Sequence, residues 1–214
     1  MTVYLPQSPS RALNAALMYP GNVGAFYMNP FANGERNIAS GAGNLYSHPF
    51  FSGPTPITIG RFDTFVVSLY AAGATIRAGL YTINNQQLPF FNPYNTANRN
   101  YATLLYDAGT MPLDDVTGLH TITPPVGIII PANTFFLVAG VEQGGGGGTR
   151  TVAGSSTSGW SPMGMSNSSS GYIGTQGYGY IMQSVPAGPL PVNFVVSSPA
   201  STNIDDGIGI MRTS

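Results

Sequence analysis

The chain has 214 residues, of which 43% are hydrophobic and only 7% are charged, and its formal net charge is −1. A chain with so little charge lacks the basic surface with which proteins bind nucleic acid or an anionic membrane. The sequence has no cysteine, which excludes disulfides, thiolate metal sites and cysteine nucleophiles. A Gly-rich and Pro-rich chain with so little charge is poorly protected against aggregation as a monomer, so we expect partner chains to cover much of its surface.

The first 42 residues differ from the rest, and we predict that they form an extended N-terminal arm with at most one short helix. Ser8 and Pro9 resemble a helix N-cap and first turn, and Pro20 followed by Gly21 ends the helical composition. Large apolar side chains then follow without a regular period: Phe26, Tyr27, Met28 and Phe31. We expect these four to contact neighbouring subunits; the alternative is a strand and loops that pack on the chain's own core.

No membrane insertion is expected from this sequence. A spanning helix needs about 18 or more consecutive apolar residues, and the best window, 126–141, is interrupted by Pro131 and Asn133. The N-terminus also lacks the positive cluster of a signal peptide.

Residues 43–214 are predicted to form one antiparallel β-sandwich or jelly roll, which makes the fold class all-β. Its most regular stretch, 61–81, reads as a hairpin of two strands joined at 71–74, because apolar residues alternate along both halves. The side chains expected to face the core are Phe65, Val67, Leu69, Ile76, Ala78 and Leu80.

Further short strands follow at a spacing typical of sandwiches and jelly rolls. They are expected at 45–51, 104–106, 120–123, 126–130, 135–141, 149–153, 172–182, 192–196 and 208–212. Residues 107–109 and 114–118 carry turn signals, and the prolines around 126–130 indicate an edge strand. The run 135–141 has the composition of a central strand.

Two aromatic groups are the candidates for recognition. The polar loop 82–103 contains Phe90, Phe91, Tyr94 and Tyr101, and Trp160 lies in a segment rich in serine and glycine. Rings surrounded by Asn, Gln and Thr suit a sugar-binding surface. Aromatic side chains are also enriched at the centres of subunit interfaces, and we favour that interpretation.

The sequence offers no set of residues for catalysis, a cofactor or a metal, and we predict none of the three. His48 and His120 lie in strand-like sequence and are interpreted as structural histidines. Asp114–Asp115 and Asp205–Asp206 suit turns. The second pair, with Asn203, could also ligate calcium, but the ligand series of an EF-hand is absent.

Several segments together resemble a β-sandwich domain of tailed-bacteriophage virion proteins. They are GNLYSHPFF, FDTFVVSLYAAGATIRAGLY, LLYDAGTM with TGLHTIT, FFLVAGVEQGG, GPLPVNF and the terminal GIMR. The resemblance covers about residues 43–212, and its motifs are turns and core strands. The sequence departs from the family pattern in the long aromatic loop, and the resemblance does not cover the first 40 residues.

The resemblance implies a non-enzymatic structural component on the exterior of a phage particle. We expect a head decoration or cement protein that forms a homo-oligomer, most simply a trimer, and attaches through its N-terminal arm to the major capsid protein or to tail proteins. The alternative is a tail fibre or baseplate appendage that binds host-surface polysaccharide. The absence of a shaft or coiled coil favours the first.

Overall fold

The computed structural model describes residues 20–27, 34–39, 43, 45–66, 69, 72–83, 100–144, 149–154, 180–182, 185–196 and 208–214. Within these ranges the chain is all-β and has no helix, which confirms the predicted fold class. The strands are β1 (Phe26–Tyr27), β2 (Gly34–Ala39), β3 (Leu45–Phe51), β4 (Ile57–Val66), β5 (Thr75–Ile83), β6 (Asn100–Pro112), β7 (Gly118–Ile122), β8 (Ile128–Ile130), β9 (Phe135–Gln143), β10 (Thr149–Gly154), β11 (Tyr180–Met182), β12 (Asn193–Val196) and β13 (Ile208–Arg212).

The described strands form two antiparallel sheets. One has seven strands, in the order β1-β13-β4-β10-β2, with β7 and β8 both paired along the other side of β4. The other has six strands in the order β11-β3-β9-β5-β6-β12. Its two edge strands, β11 and β12, lie close to each other, so this sheet is strongly curled.

The main core lies between the two sheets. The seven-stranded sheet contributes inward side chains from β4, β8 and β13, and the six-stranded sheet contributes them from β3, β5, β6 and β9. These buried residues include Phe50, Ile57, Ile59, Phe62, Val66, Ile76, Ala78, Leu80, Met111, Ile130, Phe136, Val138, Ile208 and Ile210. The alternating residues of β5 and β9 confirm the prediction that Ile76, Ala78 and Leu80 face the core.

A second apolar cluster fills the inside of the curled sheet. It contains the opposite set of side chains from the same strands, together with residues that follow β11: Leu45, Tyr81, Ile83, Ala102, Leu137, Ala139, Val141, Val185, Leu190 and Phe194. The six-stranded sheet is therefore buried on both faces, which explains why β9 reads as a nearly continuous apolar run.

The predicted hairpin at 61–81 is wrong. Its two halves are strands, but β4 belongs to the seven-stranded sheet and β5 to the six-stranded sheet, so the connection crosses from one layer to the other. Phe65 and Leu69 are exposed instead of buried, and Val67 lies outside the described residues. The strand β13 shifts register against β4 between Met211 and Arg212, and beyond this bulge Phe62 and Val66 face the core.

The predicted turn at 107–109 is also wrong, because β6 continues through it to residue 112. The register between β5 and β6 shifts there, so that Ala78 pairs with Gly109 and Gly79 with Asp107. Gly109 has a positive φ of 91°. The sequence Asp-Ala-Gly forms a β-bulge here instead of a chain reversal.

Other predicted elements are confirmed. Strand β9 is central and pairs with both β3 and β5. Strand β8 pairs with β4 alone among the described strands, as expected for an edge. The turn at 114–118 is present, and Gly118 has a positive φ of 120°.

Two described parts of the N-terminal segment belong to the seven-stranded sheet. Strand β1 pairs with β13, and β2 pairs with β10 along its full length. Here the segment packs on the chain's own sandwich, in line with the alternative interpretation of its sequence. The predicted short helix and contacts of Met28 and Phe31 fall outside the described residues, and contacts with neighbouring subunits stay a prediction.

Candidate functional site

Residues 185–192, which we call the strap, run across the inside of the curled sheet between β11 and β12. Both ends are fixed by backbone hydrogen bonds: Val185 N donates to Gly43 O (2.6 Å), and Leu104 N donates to Val192 O (2.8 Å). In the middle, the Gln143 side chain donates to Gly188 O at 2.7 Å. The strap therefore closes the open side of the sheet by contacts along its length.

Leu190 is the apolar anchor of the strap. Its side chain is buried and lies against Gly79 so closely that a Cβ on Gly79 would be 2.3 Å from Leu190 Cδ1. The same Cβ would be 2.7 Å from Tyr106 O. Glycine is thus required at position 79 because the strap and the neighbouring strand occupy the space of a side chain.

Asp107 holds the backbone of the strap to the β-bulge. Its carboxylate accepts hydrogen bonds from Leu190 N (3.1 Å), from Gly109 N (3.0 Å) and from Nε of Arg77 (2.8 and 2.9 Å to its two oxygens). Burial raises the pKa of Asp107, but these hydrogen bonds and the Arg77 charge outweigh burial and hold it below its ordinary value.

Tyr81, on the inner face of β5, makes a further polar contact with the strap. Its hydroxyl donates to Pro191 O at 2.9 Å, and its ring packs edge-on against Phe194, with centroids 4.9 Å apart. Burial, together with the nearby Asp107 charge, raises the pKa of Tyr81 well above its ordinary value. The hydroxyl therefore remains protonated and keeps its donor role.

Three of the segments singled out in the sequence meet at this strap. AGLY supplies Gly79 and Tyr81, LLYDAGT supplies Asp107, and GPLPVNF supplies Leu190 and Phe194. Their separate spacing along the chain is explained by one structural unit, a curled sheet closed by a proline-rich strap. The contacts described above give these residues a role in holding the strap.

The outside of the seven-stranded sheet has a different character. Along β7, β8 and the adjoining part of β4, large apolar side chains are exposed to solvent, and we call this set the apolar edge: Phe65, Val116, Leu119, Val126 and Ile129. Phe65 and Leu119 are direct cross-strand partners and are 45% and 54% exposed, and Ile129 is 67% exposed. Because β4 has ten residues, the edge extends for about 30 Å.

A polar group lies within this apolar edge. Asp63 is fully buried and accepts hydrogen bonds from Arg61 Nε (2.8 Å) and from the Thr121 hydroxyl. Arg61 and Asp63 alternate with the core-facing residues of β4, so they lie on the same outer face as Phe65. The buried carboxylate fixes the direction of the guanidinium, whose terminal amino groups make no hydrogen bond within the described part of the chain.

Few of the predicted interface residues lie among the described residues. Tyr27 packs against the main core, and its hydroxyl lies 2.5 Å from Asn22 N. Phe26 pairs with Met211 and Tyr101 with Val195 through their backbones. The remaining candidates lie outside the described residues: Met28, Phe31, Phe90, Phe91, Tyr94 and Trp160.

The two histidines have structural surroundings. His48 is buried in β3 with its ring edge-on to Phe50. His120 donates from Nε2 to Val116 O at 2.8 Å, which ties the turn to β7, and its Nδ1 is 3.7 Å from Asp115.

Metal ligands and membrane-spanning helices were considered for residues 20–27, 34–39, 43, 45–66, 69, 72–83, 100–144, 149–154, 180–182, 185–196 and 208–214 alone. These residues contain no group of three or more His, Asp or Glu side chains placed to bind a metal ion. Nor do they include a helix with the length and apolarity required to cross a bilayer.

Comparison with known protein families, curated proteins and solved structures found no match to this chain.

Proposed function

We propose that this chain is a non-enzymatic structural component of a tailed-phage particle, in the simplest form a head decoration or cement protein on its exterior. The observation that carries the proposal is the apolar edge. An edge strand that exposes apolar side chains, without the charges that normally protect such edges, is suited to be covered by another chain. The low charge of the whole chain is in keeping with a protein that functions inside an assembly.

The C-terminal strand is hydrogen-bonded to residues 20–24 of the N-terminal segment. Arg212 is buried and its Nη1 donates to the carbonyl oxygens of Pro20 and Gly21, both at 3.1 Å, while Gly24 N donates to Arg212 O at 2.7 Å. The backbone at residues 20–24 is therefore held against the C-terminal strand. This anchoring supports a role for the N-terminal arm, residues 1–42, in attachment to neighbouring subunits or to the major capsid protein.

The closing strap is compatible with this role. It covers the inner face of the six-stranded sheet, whose other face packs on the seven-stranded sheet, so the contacts of the strap stabilise the sandwich. A module whose described strands share a packed core and expose an apolar edge is suited to repeated placement on a particle surface. The residues involved transfer no proton and form no covalent bond in this role.

Copy number per particle tests the proposal. In purified virions, gel bands quantified against the major capsid protein should give hundreds of copies for a decoration protein. A count in the tens would reject head decoration and favour the alternative, a tail or baseplate appendage that binds polysaccharide. Absence of the chain from purified virions would reject both forms of the proposal.

A further inference from the structure

The strap is attached to the curled sheet mainly through side chains. Three of its eight residues are prolines, which have no backbone N–H, so the strap cannot form a regular strand ladder. Its middle is held instead by the side chains of Gln143, Tyr81 and Asp107, which belong to three different strands. Of these three side chains, that of Asp107 alone is charged at neutral pH.

Asp107 uses both carboxylate oxygens for its contacts. Oδ2 accepts the hydrogen bond from Leu190 N (3.1 Å), and Oδ1 accepts the one from Gly109 N (3.0 Å), two residues further along β6. Nε of Arg77 faces both oxygens, at 2.8 Å from Oδ1 and 2.9 Å from Oδ2. One oxygen therefore holds the β-bulge, and the other holds the strap.

A neutral side chain at position 107 cannot make both contacts. A protonated carboxyl group or a carboxamide keeps one strong acceptor oxygen, because its other polar atom carries hydrogen. The contact with Gly109 is local and of the kind that aspartate and asparagine both make in turns, whereas Leu190 is 83 residues away along the chain. Neutralisation also removes the ion pair with Arg77. The hydrogen bond to the strap is therefore the contact that is lost.

The titratable and charged groups that face Asp107 are Arg77 and Tyr81, both on the inner face of β5. The strap and β12 contain no ionisable side chain. On β9, Glu142 pairs with Ile76, which faces the main core, so the Glu142 side chain lies on the other face of the sheet. Arginine stays charged and tyrosine stays protonated at acidic pH, so Asp107 is the group in this contact whose charge changes.

From this geometry we infer that Asp107 is an acid-sensitive attachment of the strap: the carboxylate holds the strap closed, and its neutralisation releases the strap while the two sheets stay folded. Release uncovers the second apolar cluster, which includes Tyr81, Leu137 and Phe194. The sheet itself is retained because β5 pairs with β6 and β9 independently of the strap. The inference applies to the isolated chain and goes beyond the proposed function.

The test is amide hydrogen exchange of the full-length chain as the pH is lowered. The pKa of Asp107 lies below its ordinary value in the folded state, so the attachment is present above that value and is lost as the pH falls through the folded-state pKa. Below about pH 4, the protection factor of the Leu190 amide should fall by about tenfold or more while that of Val138 in β9 is retained. An apolar dye should bind over the same pH range, because the second cluster becomes accessible.

Three variants separate the carboxylate from the other contacts of the strap. Asp107→Asn should lower the protection factor of the Leu190 amide by about tenfold or more at neutral pH and should abolish its acid transition. Tyr81→Phe removes the hydrogen bond to the strap but leaves the carboxylate, so it should lower this protection at neutral pH and keep the acid transition. Asp115→Asn, in a turn outside the strap contacts, should behave as the wild type.

Three outcomes would overturn the inference. One is equal protection of the Leu190 amide in the wild type and in Asp107→Asn at neutral pH. Another is an acid transition that persists in Asp107→Asn, which would assign it to a different group. The third is loss of protection at Leu190 and Val138 together in the acidified wild type, since that pattern means unfolding of the whole domain instead of release of the strap.

Discussion

The two sheets of this protein differ in how their outer surfaces are completed. The six-stranded sheet is curled, its second face is filled by its own strap, and Asp107 and Tyr81 hold the strap by hydrogen bonds. The seven-stranded sheet has an outer face on which Phe65 and Leu119 remain exposed. Within the described part of the chain, one sheet has both faces covered, and the other keeps large apolar side chains exposed on its outer face.

This difference distinguishes the residues that stabilise the fold from the exposed residues that carry the proposed function. The residues that meet at the strap stabilise the fold together. Leu190 packs on Gly79, and the strap backbone is hydrogen-bonded by Asp107 and Tyr81. The apolar edge has no partner in the described part of the chain, so its composition is better explained by an external contact. Substitutions at the strap should therefore lower the stability of the fold, and substitutions in the apolar edge should leave the stability nearly unchanged.

Among substitutions at the strap, Leu190→Ala should have the largest effect on stability. It removes a buried side chain that lies directly on Gly79, and the strap cannot move inwards without losing its hydrogen bonds. We expect the free energy of unfolding to fall by about 2–5 kcal/mol in urea titrations. The control Val192→Ala, two residues along but exposed, should change it by about 0.5 kcal/mol or less. Equal losses for the two variants would contradict the assigned role of Leu190.

Asp107→Asn should have an intermediate effect that depends on pH. The substitution removes the ion pair with Arg77 and weakens the hydrogen bond from Leu190 N, and we expect a loss of about 1–3 kcal/mol at neutral pH. The pKa of Asp107 is lowered in the folded state, so its stabilising contribution is present above the unfolded-state pKa and is lost as the pH falls through the folded-state pKa.

Unfolding titrations at several pH values measure this contribution. The wild type should lose stability on acidification below about pH 4, and Asp107→Asn should show a smaller loss over the same range. Asp115→Asn is the control, because Asp115 is half exposed and is not part of the strap contacts. The same pH dependence in wild type and Asp107→Asn would show that the carboxylate does not hold the strap.

The sequence predicts the elements of this fold better than their connections. Strand β9 is recognisable because a run of apolar residues bounded by glycines suits a strand buried on both faces. The connection after β4 could not be predicted, since the residues between β4 and β5 suit a hairpin and a crossing equally well. Its course is decided by the pairing of β4 with β13, about 150 residues later in the chain.

The turn predicted at 107–109 was wrong because residues distant in sequence determine the local backbone. Asp-Ala-Gly at 107–109 has turn composition, but Arg77 and the backbone of Leu190 hold it as a bulge within β6. The apolar edge had a signal in the sequence: three consecutive isoleucines in a short edge strand require that one of them faces outwards. The loop predicted at 82–103 is shorter than expected, because Tyr101 lies in β6. Its residues 84–99 and Trp160 lie outside the described residues, and the strap was not predicted as a site.

Phe65→Ala should have the smallest effect on stability, and it tests the orientation of β4 directly. Phe65 was predicted to face the core, but the bulge against β13 places it on the outer face, where it is 45% exposed. We expect a change of about 0.5 kcal/mol or less in the free energy of unfolding. Phe62→Ala, on the same strand but fully buried, should cost about 3–5 kcal/mol. A large loss of stability for Phe65→Ala would mean that Phe65 packs in the core rather than on the outer face.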